Sequence, residues 1–270
     1  MITRSERTLN YAVLVLFSVI ALFPVLLILS TALSPDEIGA GGSALSLEFG
    51  NFAEAWEQGN FGSYMRTSVI VAVSVVTLAT LFSVMAGYAF GTMQFRGSEV
   101  IFYLILLGIM VPAEALVVAL YFDLRSVGLT NTLVAIVMPQ VAQSVAFGTF
   151  WMRAYFRSSS REVVEAARLD GAGHWRTLWR VLVPMGRPAI TTMIVLMFMW
   201  TWNEFLIPLV MATDESLRTA PLGLAFFQGQ YTAGTSLLAA GAVLVALPVV
   251  VVYLFLQRHF IRGMVEGVAK

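Results

Sequence analysis

Asn203 and Glu204 sit side by side in an otherwise apolar stretch, with Trp200 and Trp202 just before them. Gln140 and Gln143 interrupt a second such stretch, and Glu114 a third. Polar side chains are costly to place in hydrocarbon, so each marks a candidate functional position. An amide carries donors and an acceptor, which suits solute hydroxyls, and an indole offers a flat apolar face. The alternative role is hydrogen bonding between helices, worth about 0.6 kcal/mol per contact. Glu114 lies nearer the end of its stretch, toward an outer surface.

The surrounding composition says what must hold these groups. Of 270 residues, 59% are hydrophobic and only 12% are charged. Soluble domains carry roughly a quarter charged residues, so this is an integral protein of the lipid bilayer. The formal net charge is zero, which argues against nucleic acid as a partner. Without cysteine, disulfides and thiolate-bound zinc or iron–sulfur sites are excluded, and no metal or cofactor is expected. The single lysine is Lys270, which rules out a Walker A motif. If ATP drives this protein, another chain binds it.

A helix needs about 20 apolar residues to cross the hydrocarbon core, which predicts six spans near 10–33, 67–92, 100–122, 132–152, 188–211 and 236–257. The apolar run from Tyr11 to Leu33 is too long for a signal-peptide core, and reads as an uncleaved anchor bent at Pro24. With the N-terminus inside, only Arg66, Arg125 and Arg218 of the 16 basic residues fall outside. The positive-inside rule therefore places both termini in the cytoplasm of a multi-pass cell-membrane protein. No internal repeat divides the chain, so one transmembrane domain over 1–270 is expected. Phe52, Ala55 and Trp56 recur at helical spacing in the first outer loop and predict a short interfacial helix. Gly87 and Gly91 are spaced for close helix approach, though chance gives the same pattern.

One inner loop, about 153–187, is too polar to span and too patterned for a plain connector. Ser159 and Glu162 fit a capping box that would open a helix over about 160–169. Val163, Val164 and Ala167 share one side of it. Gly171 would end it, because glycine takes the left-handed conformation without steric cost. A second short helix over about 173–181 carries Trp175, Leu178 and Trp179, and Pro184 and Pro188 redirect the chain. On the residues alone, an amphipathic helix lying on the inner membrane surface explains the loop as well as a docking element does.

The run Glu165-Ala-Ala-Arg-Leu-Asp-Gly171, nine further residues and then Val181-Leu-Val-Pro184 resembles the EAA loop of membrane subunits of ATP-binding-cassette importers. Val181 and Val183 stand where that family more often has Ile and Leu. Other resemblances point to carbohydrate importers, in particular the second permease subunit of maltose-type systems. These are Tyr64 to Ser68, Trp202-Asn-Glu-Phe205, Thr219-Ala-Pro-Leu-Gly-Leu224, and a tail from Gln257-Arg-His-Phe-Ile-Arg-Gly263 to Lys270. Ser160 departs from the proline common there.

The resemblance implies an all-α type I importer permease fold of six helices, with a helix–Gly–helix coupling loop between helices four and five. It implies a second permease subunit, two ATPase subunits that hydrolyse ATP, an extracytoplasmic solute-binding protein and a sugar substrate. This chain would have no catalytic residues. Glu165 would be the charged anchor on the ATPase, with Ala166, Ala167 and Gly171 as small contact residues. Asp170 would either dock or satisfy local amides. Asn203, Glu204, Gln140, Gln143 and Trp202 would line the sugar pathway. Phe226, Phe227, Gln228 and Tyr231, near the tip of the last outer loop, would reach the binding protein. The alternatives are an ion-coupled secondary transporter, an importer of glycerol phosphate or a polyol, and a membrane scaffold. A scaffold leaves the Glu-Ala-Ala-to-Pro spacing unexplained.

Overall fold

A computed structural model describes residues 4–35, 47–158, 161–230 and 234–268. Within these residues the protein is helical and has no strand. The helices are α1 (Arg4–Ala32), α2 (Gly50–Gln58), α3 (Phe61–Thr92), α4 (Ser98–Met110), α5 (Ala113–Ser126), α6 (Leu133–Ser158) and α7 (Arg161–Leu169). α8 (His174–Thr177) runs through a π-helical turn, Leu178–Leu182, into α9 (Val183–Met185). α10 (Arg187–Trp202), α11 (Leu206–Met211), α12 (Ala220–Gln230) and α13 (Thr235–Val268) complete the chain.

Four helices are long and apolar enough to cross a membrane: α1, α3, α6 and α13. Two bent helix pairs raise the number to six at most. The span expected over 100–122 is one of them, broken between α4 and α5 with a bend of 103°. Pro112 explains the break. It lacks an N–H, and it holds Val111 in extended backbone (φ −81°, ψ 120°). The other pair is His174–Met185 with Arg187–Trp202, bent by 80°, and the span expected over 188–211 also departs from the sequence reading. α10 stops at Trp202, and α11 begins only at Leu206. By contrast, α1 continues through Pro24 as a single helix, and α6 and α13 do the same at Pro139 and Pro248.

The helices group into two compact units. One comprises the residues up to Gly62 with Gly223–Leu247, the other Ser63–Leu222 with the residues from Pro248 on. In the first, Ala32, Ala55, Phe227, Leu237 and Ala240 form a small core. The Asn51 amide donates to the carbonyls of Ala32 (3.0 Å) and Ser34 (2.9 Å), satisfying groups that the end of α1 leaves orphaned. α2 is the helix that Phe52, Ala55 and Trp56 foretold. Ala55 is buried, while Trp56 is exposed.

In the second unit, α3 and α6 touch where side chains are smallest. A Cβ on Gly87 would collide with Met152, and one on Gly91 would come within 2.9 Å of Phe156. Gly148 of α6 is pressed in turn by Ser83 and Met197. The Gly87–Gly91 spacing is thus a true helix-crossing site. One apolar cluster gathers around Val75, Ile136, Ile207 and Met211, and a second around Met152, Phe156, Leu182 and Met193, with Val163 and Val164 of α7 packed against the second.

The segment after α11 is fastened to α3. Tyr64 Oη donates to the Glu215 carboxylate at 2.7 Å, and Thr67 Oγ1 donates to the Ser216 carbonyl at 3.1 Å. Asn131, in left-handed backbone (φ 59°), accepts the amides of Thr213 (3.1 Å) and Asp214 (2.8 Å) on its side-chain oxygen. Asp214 caps the following turn, and the Ser216 amide and hydroxyl hold its carboxyl below the usual carboxylate range.

Candidate functional site: an exposed helix–Gly–helix loop and a polar cavity

α7 ends in a Schellman motif. The Ala172 amide donates to Ala167 O (2.9 Å) and the Gly171 amide to Arg168 O (3.0 Å), with Gly171 left-handed at φ +76°. Ser159 and Ser160 of the expected capping box lie outside the described residues. Glu165, Ala166, Asp170 and Gly171 are exposed together on the loop. Ala167 is not part of that face. It is buried on the inner side with Val163 and Val164 half-buried beside it, as the helical spacing requires. Asp170 is exposed at the end of α7, and among the described residues its side chain makes no hydrogen bond. Leu169 (89% exposed) and Trp175 (65%) flank Gly171 in the chain; the sequence reading places Trp175 on the second short helix and does not name Leu169. The loop is rooted by Thr177, Leu178 and Leu182, all buried.

A cavity of about 530 Å³ opens between α6 and the end of α10, bordered by Ile109 of α4. Gln140, Gln143, Asn203 and Glu204 all line it. Gln140 is buried. Its amide nitrogen donates to Ile136 O at 2.9 Å, while its oxygen has no partner. Gln143 is exposed. The Asn203 amide turns back to Met199 O at 2.7 Å, and Glu204 accepts the Ile207 amide at 3.0 Å. These two residues therefore terminate α10 and cap α11, using local bonds rather than bonds to a neighbouring helix. Their remaining polar atoms border the cavity.

Trp202 does not line the cavity. It is 3% exposed and packs on Phe198 at 5.5 Å between ring centroids. Trp200, 51% exposed, takes the cavity position and meets Phe147 edge to face at 4.7 Å. The i, i+2 spacing of the two indoles puts them on different sides of α10, a distinction composition cannot make. Glu114 is exposed at the start of α5 and is not among the cavity residues.

The segment between α11 and α13 is not an open loop. Phe226 and Phe227 lie in α12, and Phe227 is buried against Phe61 at 5.8 Å. Phe227 therefore cannot present its ring to a partner. Gln228 lies in α12, and Tyr231 is outside the described residues.

Residues 79–266 match the family of binding-protein-dependent transport system inner membrane components. The diacetylchitobiose uptake system permease protein NgcG of Streptomyces coelicolor is 34% identical, over 98% of this chain and 89% of its own length. The arabinooligosaccharides transport system permease protein AraQ of Halalkalibacterium halodurans is 32% identical, over 93% and 92%. A chain of the crystal structure of a bacterial ABC transporter involved in the import of the acidic polysaccharide alginate shares the fold. It has a TM-score of 0.81, 24% identity, and coverage of 96% of this chain and 99% of that one. The chain belongs to the family of binding-protein-dependent transport system inner membrane components.

Proposed function

We propose that this chain is one of two permease subunits of an ATP-driven sugar importer and forms half of its translocation pathway. The observation that carries this reading is the exposed Glu165–Gly171 unit, rooted in the inner core of a chain of this family. Glu165 and Asp170 supply charge for a basic groove on an ATPase subunit, and Ala166 and Gly171 allow close approach. Leu169 and Trp175 add apolar contact, and Ala167 packs beneath. ATP hydrolysis belongs to separate ATPase subunits.

The chain crosses the membrane six times as a single domain, with both termini cytoplasmic. The crossings are α1, α3, the bent α4–α5 pair, α6, α10 with α11, and α13. An extracytoplasmic binding protein delivers solute at the outer end, where Phe226, Gln228 and Tyr231 are contact candidates and Phe227 supports them. A sugar substrate is favoured because NgcG and AraQ, similar along nearly the whole chain, are named for oligosaccharides. In the cavity, the free acceptor of Gln140, the Gln143 amide and the Trp200 face suit hydroxyls and a pyranose ring. Transport is a population shift between inward- and outward-facing states, biased by ATP and by the loaded binding protein.

The test is ATP hydrolysis by the co-purified assembly against a panel of oligosaccharides, polyols and glycerol phosphate, each with the binding protein. Stimulation by an oligosaccharide supports the reading. Stimulation only by a polyol or by glycerol phosphate replaces the substrate class, and absence of any ATPase partner removes the mechanism.

A further inference from the structure

The inner end of α3 is hydrogen-bonded to the loop that carries Glu165 and Gly171. The Tyr88 hydroxyl lies 3.1 Å from Nδ1 of His174, the first residue of α8. Their rings meet edge to face with centroids 6.3 Å apart. Tyr88 is buried and also packs on Phe156 at 5.9 Å. It lies beside Gly87, where α3 packs on Met152 and Arg153 of α6 too closely to admit a Cβ.

The opposite end of the same helix is fastened too, through Tyr64 to Glu215 and Thr67 to Ser216. From Tyr64 to Tyr88 the helix is about 36 Å long at 1.5 Å per residue. One unbroken helix thus carries hydrogen bonds to the inner loop at one end and to the outer segment at the other. Of the other roots noted above, Leu178 and Leu182 are apolar, and Thr177 Oγ1 donates within the loop to Gly173 O at 3.1 Å. The Tyr88–His174 bond is directional, and it joins the loop to α3 rather than to α6 or α10.

We propose that Tyr88 and His174 form a positioning link through which α3 follows the inner loop, carrying its displacement to the outer segment. The proposal rests on the reading of that loop as the ATPase-docking element. Spatial continuity alone does not establish coupling, so the test measures coupling directly.

Tyr88→Phe keeps the buried ring and removes only the hydroxyl. His174→Ala removes the exposed partner without touching the core. His174→Asn places an amide close to the Nδ1 position and keeps a hydrogen-bonding group there. The measurement is solute imported per ATP hydrolysed, with the full assembly in proteoliposomes and the binding protein present. Loss of one hydrogen bond predicts a fall of about fivefold in that ratio for Tyr88→Phe and for His174→Ala. The double variant should fall no further, and His174→Asn should recover most of the wild-type ratio. ATPase co-purification should be unchanged in all four. An unchanged ratio in either single variant overturns the link, as does a double-variant loss equal to the product of the two single losses. Loss of the ATPase from Tyr88→Phe overturns it as well, since the bond would then merely hold the docking face together. Failure of the docking reading registers separately, as retention of the ATPase by Gly171→Leu.

Discussion

Ser68 Oγ accepts the backbone N–H of Ala220 at 2.8 Å, across 152 positions of chain. The bond is buried, and with those of Tyr64 and Thr67 it clamps the outer end of α3 to the segment leading into α12. This unites two short motifs, Tyr64 to Ser68 and Thr219 to Leu224, that lie far apart in sequence.

Ser68→Ala strands the Ala220 amide in a buried setting. An unsatisfied buried donor costs about 1–3 kcal/mol. The variant should lower the thermal unfolding midpoint of the detergent-solubilised protein, and Tyr64→Phe, whose partner Glu215 is exposed, should lower it less.

Gly87→Ala should disturb the α3–α6 crossing. The added Cβ would meet the backbone N of Arg153 at 2.9 Å, which a side-chain rotation cannot relieve. Overpacking of this kind costs about 1–3 kcal/mol. The same change at Gly97, which has open space but a φ of +81°, strains only the local turn and should leave helix packing intact. Cross-linking between cysteines introduced on α3 and α6 reads the difference.

The cavity residues divide by role. On the proposed function, Gln143→Ala removes one cavity-lining amide and should raise the apparent KM of transport about two- to tenfold, the range of a single net hydrogen bond. Trp200→Ala should act the same way. Trp202→Ala should instead lower stability and expression, because its ring is packed inside the protein. Uptake of labelled oligosaccharide alongside a thermal midpoint for each variant separates the two outcomes.

Asp214 gives the outer segment a pH dependence. Its carboxyl is held low by the Ser216 amide and hydroxyl, so the charged form is the one the folded turn favours. Order from this cap is fully present above the ordinary Asp pKa and is lost as pH falls through the lowered folded value. Hydrogen exchange at the Ser216 amide should therefore quicken with acidification, relative to its intrinsic rate. Asp214→Asn keeps an acceptor that does not titrate in this range, so it should abolish that dependence.

Much of this was legible in the sequence because hydropathy and glycine act locally. The long apolar helices, the Gly171 stop and the short helix over Gly50–Gln58 follow from run length, φ preference and spacing. Gln140, Gln143, Asn203 and Glu204 could be named because a polar group in an apolar run is conspicuous. Their meeting in one cavity is tertiary and had no local signal. Trp202 and Phe227 misled for a related reason, since an aromatic ring suits a core and a binding surface equally well. The break after Val111 follows from Pro112, a breaker that a reading by run length leaves out of account. The Tyr88–His174 and Ser68–Ala220 bonds join residues too distant in sequence for any periodicity to reveal.

The central claim is that the Glu165–Gly171 unit docks a separate ATPase. Its most direct test is co-purification of that ATPase with Gly171→Leu and Glu165→Lys, both checked for membrane insertion, with Arg168→Lys as control. Leucine is strained at φ +76° and intrudes on the docking face, and lysine at 165 repels a basic groove. The account predicts that both variants insert normally yet lose the ATPase about tenfold or more, at about 1.4 kcal/mol per factor of ten, while Arg168→Lys retains it. Full retention of the ATPase by both disruptive variants would contradict the account and reduce the loop to a helix on the membrane surface.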